Sequence, residues 1–316
     1  MGSSEPPTAH NPHAHGIHRT SPTASQYKET ESLRAMPSFE RVKGFLQLIR
    51  PKNALLAAIG PLVGWTSVRP GADLKLALVV VIPPLVLMAG NSINDFYDIE
   101  IDRVNKPWRP IPRGVVHPRE AVLMYLILTA FAVSLAVMLG PLMAAIALLF
   151  SLAYLLYAAR IKATGLPGNA LVSLGVAFTL IYGALAAGQV TDKVLYYSSI
   201  AFTANMAREI AKTVEDLPGD SAAGLRTFPI VAGIAAARML TIAFTLATII
   251  LTLVPAALGL SGMIYKVGSG LACLSLAVTV ASARDMTPEA ASRVSNLLKF
   301  AMTLGIISML LDNIAC

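Results

Sequence analysis

Uncharged apolar runs recur along the chain, each ending in a short polar stretch. A membrane-crossing helix takes about 20 apolar residues, and lipid offers no partner to backbone groups, so such runs fold as helices. The pattern predicts nine spans, at about 53–69, 75–94, 120–139, 141–159, 169–189, 194–212, 236–259, 267–284 and 294–314. Only Gly140-Pro141 separates the third from the fourth. TFPIVAGIAAARM ahead of the seventh is too long to join that span and is expected partly in the membrane interface. The expected fold class is all-α: a polytopic membrane protein with nine transmembrane helices in a single bundle over residues 39–316. Residues 1–38 break the pattern. They are polar, rich in Pro, Ser, Thr and His, and carry no apolar core or signal-peptide h-region, so a disordered tail is expected. Four of the five histidines (His10, His13, His15, His18) lie there. A solvated tail is the simpler reading than a metal-binding one.

Composition agrees with the pattern. The chain is 55% hydrophobic and 14% charged, where soluble domains are about 25% charged, and its mean hydropathy is +0.64. Cys273 and Cys316 form no metal-ligand spacing and no disulfide framework. Nine spans place alternate loops on opposite sides. All but Arg69, Lys75, Lys193 and Lys266 of the 25 Lys and Arg then fall on one side. Bases favour the cytoplasm, so the N-terminus is expected inside and the C-terminus outside. The net charge of +7 is mostly this topology signal. No separate basic face suggests nucleic acid as a partner.

Two polar stretches call for chemistry. NSINDFYDIEIDRVNKPWRPIPRG (Asn91–Gly114) follows the second span directly. On a continuing helix Asn94, Asp98 and Asp102 form one stripe, with Asn91 on the same face and Asp95 at its edge. Stacked carboxylates near a membrane repel and are costly. Several carboxylates with an amide suit Mg2+, a hard cation. The alternative is a solvated helix end whose acids pair with Arg103 and Lys106. After the sixth span, NMAREIAKTVEDLPGDSAAGLRTFP repeats the spacing at Asp216 and Asp220, although Pro218-Gly219 between them disturbs an ideal face. Glu209 has Lys212 as a possible partner, and Arg208, Lys212 and Asp216 share a face. Two acidic clusters on one side, with Lys106, Arg109, Arg113, Lys162 and Arg226 between or beside them, suit a diphosphate arriving with Mg2+.

At these residues the chain resembles the UbiA superfamily of intramembrane prenyltransferases. NDFYDIEID (Asn94–Asp102) is similar to its NDxxDxxxD signature, and EDLPGD (Glu215–Asp220) to its second DxxxD motif. RVNKPWRPIPRG resembles the continuation of the first motif. YAARIKATGLPGN (Tyr157–Asn169) resembles its Tyr/Lys-bearing loop, and RPKN (Arg50–Asn53) the start of its first helix. The resemblance spans about residues 45–315 and implies an enzyme of the cell membrane that uses Mg2+ to move an isoprenoid chain from its diphosphate to an acceptor. It implies one metal on Asn94, Asp98 and Asp102 and a second on Asp216 and Asp220. It also implies diphosphate held by Lys106, Lys162 and Arg226, and Tyr157 facing the allylic cation. Arg109, Arg113, Arg208 and Lys212 are further candidate substrate contacts.

AREIAKTVEDLPGDSAAGLRTFPI most resembles the archaeal branch that takes geranylgeranyl diphosphate as donor and geranylgeranylglyceryl phosphate, a lipid-like acceptor. Quinone-pathway relatives take aromatic acids such as 4-hydroxybenzoate. In either case Arg50, Lys52 or Asn53 is placed to meet the acceptor's anionic group, while positive-inside anchoring also explains the two bases. No general base stands out, so an alcohol attacking a cation would pass its proton to the released diphosphate. Gly60 and Gly64 offer either a chain-binding surface or a close helix contact. A secondary transporter would place its polar residues near the bilayer midplane, whereas these acids lie at span ends. A non-catalytic scaffold would need no matched acidic clusters.

Overall fold

The computed structural model describes residues 37–69, 71 and 73–315. Apart from Pro37 and Ser38, the expected N-terminal tail lies outside the described residues. Among those described every regular element is a helix: α1 Ser38–Ile49, α2 Pro51–Thr66, α3 Leu74–Tyr97, α4 Ile99–Asn105, α5 Pro118–Val137, α6 Pro141–Ala159, α7 Leu166–Ala187, α8 Asp192–Glu215, α9 Leu217–Ala222, α10 Phe228–Ala257, α11 Met263–Ser282 and α12 Pro288–Ala315, with a 3-10 turn at Ile161–Thr164. Each predicted span coincides with one of the long helices. Among the described residues seven are long and apolar enough to cross a membrane. The other two are α2, with 16 residues, and α8, which carries Arg208, Glu209, Lys212 and Glu215 in its last two turns.

Local chemistry sets the boundaries. Pro opens α2, α5, α6 and α12, where its missing N–H costs nothing. His117 and Glu120 close a capping box on α5. Gly233 (φ 85°, ψ 157°) interrupts α10, so the residues ahead of the seventh span form a separate turn. That backbone conformation belongs to glycine.

The long helices form a closed circuit. α3 packs on α2, α5 and α6, α7 bridges α2 to α8, α8 contacts α10 and α12, and α12 returns to α2. Close approach rests on small residues, as is usual in membranes. A methyl group on Gly64 would lie 1.9 Å from the Leu180 carbonyl oxygen, and one on Gly183 2.0 Å from that of Pro61. Gly64 is therefore a helix contact between α2 and α7 and offers no chain-binding groove. Gly60 meets Thr179 of α7 in the same way, though it also borders the central cavity. Thr241, Thr245, Thr248 and Thr252 form the buried stripe of α10, each returning its hydroxyl to the carbonyl four residues back. Large apolar side chains such as Phe131, Leu149, Leu253 and Leu274 stand exposed around the outside, a surface suited to lipid.

Candidate active site

The two acidic motifs are built by one device. α3 ends at Tyr97, Asp98 occupies a single non-helical position (φ −90°, ψ 7°), and α4 resumes. α8 ends at Glu215, Asp216 takes nearly the same conformation (φ −82°, ψ 1°), and α9 resumes. Hydrogen bonds from Asp102 N to Asp98 O (2.7 Å) and from Asp220 N to Asp216 O (3.1 Å) carry the helical rise across each break. The four-residue spacing thus survives, and the break turns each short helix over the end of the bundle.

α4 and α9 then pack on each other. Gly219 makes this possible, since a Cβ there would lie 2.2 Å from the Asn105 amide nitrogen, which donates to the Asp216 carbonyl (3.2 Å). Lys106 reaches across to the Asp216 carboxylate at 2.8 Å. The reading of the first motif as a solvated helix end is therefore overturned. Lys106 pairs with the other motif, and among the described residues Arg103 pairs with exposed Glu100 alone.

Lys162, from the 3-10 turn after α6, donates to Asp98 at 2.6 Å. Asn94 Nδ2 donates to the same carboxylate at 3.0 Å. Arg109 donates to Asp95 at 2.9 Å and also to Asp102. Arg50 holds Asp95 as well and reaches Asn91 Oδ1 at 3.3 Å. It adopts the left-handed conformation (φ 53°) between α1 and α2, a strain offset by these charge-assisted bonds. Burial pushes the Asp102 carboxyl above its usual range, with Arg109 opposing and Asp98 and Asp95 adding to the rise. Burial pushes the Asp220 carboxyl up to about 6, with Lys162 opposing and Asp216 and Asp98 adding. For Asp216 burial also acts upward, but Lys212, Lys106 and Lys162 outweigh it and hold the carboxyl below its usual range.

Among the described residues no three Asp, Glu, His or Cys side chains gather at metal-binding distance. Asp98 and Asp216 are held by lysines instead. The donor set nevertheless fits a hard divalent cation. Asn94 Oδ1 is buried without a hydrogen-bond partner. Among the described residues Asp220 is buried without an ion pair. All five candidates offer oxygen.

Beneath the motifs lies a cavity of about 390 Å³, within the ~300–1,000 Å³ of ligand sites. Arg50, Asn53, Asn94, Tyr157, Arg208 and Lys212 line its polar end. Its body is apolar, with Val86, Phe150, Phe178 and Met302 among its walls. Tyr157 lies within electrostatic reach of Glu209, Asp98, Asp220 and Asp216.

Lys52, Arg113 and Arg226 are exposed, pair with no acid among the described residues and do not line the cavity. Arg109, an expected substrate contact, has its guanidinium on both Asp95 and Asp102 and orders a motif carboxylate. Glu209, for which Lys212 was one candidate partner, pairs with Arg208 at 2.7 Å. Three residues had no role in the sequence reading. Asp95, placed at the stripe's edge, is buried between two arginines. Asn105 ties the two motifs together. Lys299, counted among the loop bases, lies three turns into α12 and borders the cavity. For Lys299 the signal was present, a charge inside an otherwise apolar run.

The sequence profile of the UbiA prenyltransferase family matches residues 53–304. The chain belongs to this family. Like the UbiA family at large, it is an intramembrane prenyltransferase and a multi-pass membrane protein. The digeranylgeranylglyceryl phosphate synthase of Korarchaeum cryptofilum is 47% identical over 275 residues, covering 86% of this chain and 98% of that one. A solved structure described as digeranylgeranylglyceryl phosphate synthase in membranes superposes with a TM-score of 0.70 at 30% identity, covering 88% of this chain and 100% of that one. A UbiA homologue from Archaeoglobus fulgidus, bound to GPP and Mg2+, shares the fold with a TM-score of 0.64 at 18% identity, over 84% of this chain and 99% of that one.

Proposed function

We propose that the protein transfers a geranylgeranyl group from geranylgeranyl diphosphate to the hydroxyl of geranylgeranylglyceryl phosphate, forming the ether of digeranylgeranylglyceryl phosphate within the membrane. The observation that carries this is the Lys106–Asp216 bridge, which joins two acidic motifs over the polar end of an apolar cavity. The names of relatives such as that of K. cryptofilum support the choice of acceptor.

Asn94, Asp98 and Asp102 would hold one Mg2+, and Asp216 and Asp220 a second. When bound, Mg2+ neutralises the diphosphate and favours its departure. Lys162 and Lys106, now on Asp98 and Asp216, turn to the phosphate oxygens when the donor arrives, with Arg226 closing from the exposed side. Arg109 keeps the Asp102 carboxylate oriented. Tyr157 presents its ring to the allylic carbon, where an electron-rich face stabilises positive charge. The apolar walls hold the chain and keep water from the cation. Arg50 and Asn53, at the cavity's polar edge, take the acceptor phosphate. In this reading the bundle crosses the membrane nine times, with the N-terminus and both acidic motifs facing the cytoplasm, which the distribution of Lys and Arg supports.

Purified protein in detergent, given geranylgeranyl diphosphate and Mg2+, should convert geranylgeranylglyceryl phosphate to the ether product. Product from 4-hydroxybenzoate and none from the glycerol lipid would move the protein to the aromatic-acceptor branch.

A further inference from the structure

The geometry points to Glu209 as the base that takes the proton from the acceptor hydroxyl, a role that rests on the transfer proposed above. Among the described residues lining the cavity, Glu209 is the one Asp or Glu, and no histidine joins it. It lies on α8 seven residues before Asp216, two helical turns and about 10 Å deeper along the same face. The acidic motifs hold the diphosphate at the cavity's end, so Glu209 sits where the chain's reactive carbon and its attacker meet. Tyr157, which meets the reactive carbon in that transfer, lines the same cavity.

The carboxylate is prepared for such a role. Arg208 bonds Oε1 at 2.7 Å, and among the described residues no other hydrogen bond is made to it. Lys212, one turn on, offsets its charge. Asn205, one turn back, also lines the cavity and is fixed by donating to Ser173 at 3.1 Å. The polar stripe Asn205–Glu209–Lys212–Asp216 thus runs from the apolar body to the motifs. Stability alone gives little reason for it. A buried ion pair is often no more stabilising than apolar residues of equal volume, and within a membrane its desolvation is costly.

The step balances. The acceptor O–H gives its proton to Glu209 Oε2 while its oxygen forms the C–O bond to the allylic carbon. The bond from that carbon to the diphosphate oxygen breaks, and its electron pair leaves with the diphosphate. Glu209 then loses the proton to solvent through the polar end of the cavity.

The test compares Glu209→Gln with the wild type using geranylgeranylglyceryl phosphate and its analogue in which a thiol replaces the reacting hydroxyl. A thiol ionises near pH 8.5 without a base, whereas the alcohol does not. General-base removal costs about 10²–10⁴-fold. Transfer to the hydroxyl should fall at least about 100-fold, and transfer to the thiol less than about tenfold. The KM for the donor should change little. Should the Gln variant fail to fold, Glu209→Asp keeps the charge and the Arg208 pair but withdraws the carboxylate, and should show the same selective loss. Equal losses with both acceptors, or hydroxyl transfer close to wild type, would overturn the role and leave the proton to the diphosphate. No ether product from the wild type would overturn the proposed transfer itself.

Discussion

Asp95, Asp98, Asp102 and Asp216 are each paired with a base, and the pairings differ in kind. Asp98 and Asp216 are held by lysines, single flexible charges that can move to a phosphate. Asp95 and Asp102 share Arg109, a planar donor that fixes geometry. Asp98→Ala and Asp216→Ala should each lower turnover by at least about 100-fold, while the proteins still insert and remain monodisperse; near-full activity in either would remove it from the metal site. Arg109→Lys should also lower turnover, because one ammonium cannot serve two carboxylates. Rates equal to wild type would show that the fork geometry is unimportant. Asp220, pushed up to about 6 by burial, with its acidic neighbours adding, is protonated below that pH. A proton there competes with a metal, so the Mg2+ concentration for half-maximal activity should rise as pH falls below about 6. A requirement constant from pH 7 to 5 would exclude Asp220 as a ligand.

At the scale of elements, the short helices α4 and α9 and the long C-terminal helix do most to position the rest. Gly219→Ala would set a methyl group against Asn105, part the two motifs and lower activity with little change in helicity by circular dichroism. Unchanged activity would show that this contact is dispensable. Asp312 of α12 accepts from the backbone of Gly262 (2.8 Å) and Tyr265 (3.1 Å), capping α11 from another helix. Asp312→Ala should cost about 1–2 kcal/mol, read as a lower Tm in detergent; an unchanged Tm would contradict it. Except for α8 and α12, which carry several charges, the long helices were legible because each is a nearly uncharged run ended by Pro, Gly or charge. The acid stripe was legible because helical spacing puts residues four apart on one face, and a single-residue break preserves it. The partners were not. Lys162 and Asp98 are 64 residues apart, and Lys106 and Asp216 are 110 apart, and spacing along one chain segment carries no information about such pairs. Gly64 was ambiguous for the same reason, since only the neighbour it meets separates a chain groove from a helix contact.

For the whole molecule, the circuit of helices puts an apolar cavity beneath two acidic motifs that lie far apart in sequence. The sequence of residues 1–36 is polar and holds no apolar run, so removing them should leave turnover and metal dependence nearly unchanged; a large loss in a well-folded protein would give the tail a role. In the proposed mechanism both motifs bind metal together around one diphosphate. Counting bound Mn2+ by electron paramagnetic resonance, with an unreactive geranylgeranyl diphosphate analogue present, tests it directly. Wild-type protein should hold two coupled ions, and Asp216→Ala combined with Asp220→Ala should leave one. Metal binding unaltered by that double substitution, or absent from the wild type, would contradict it.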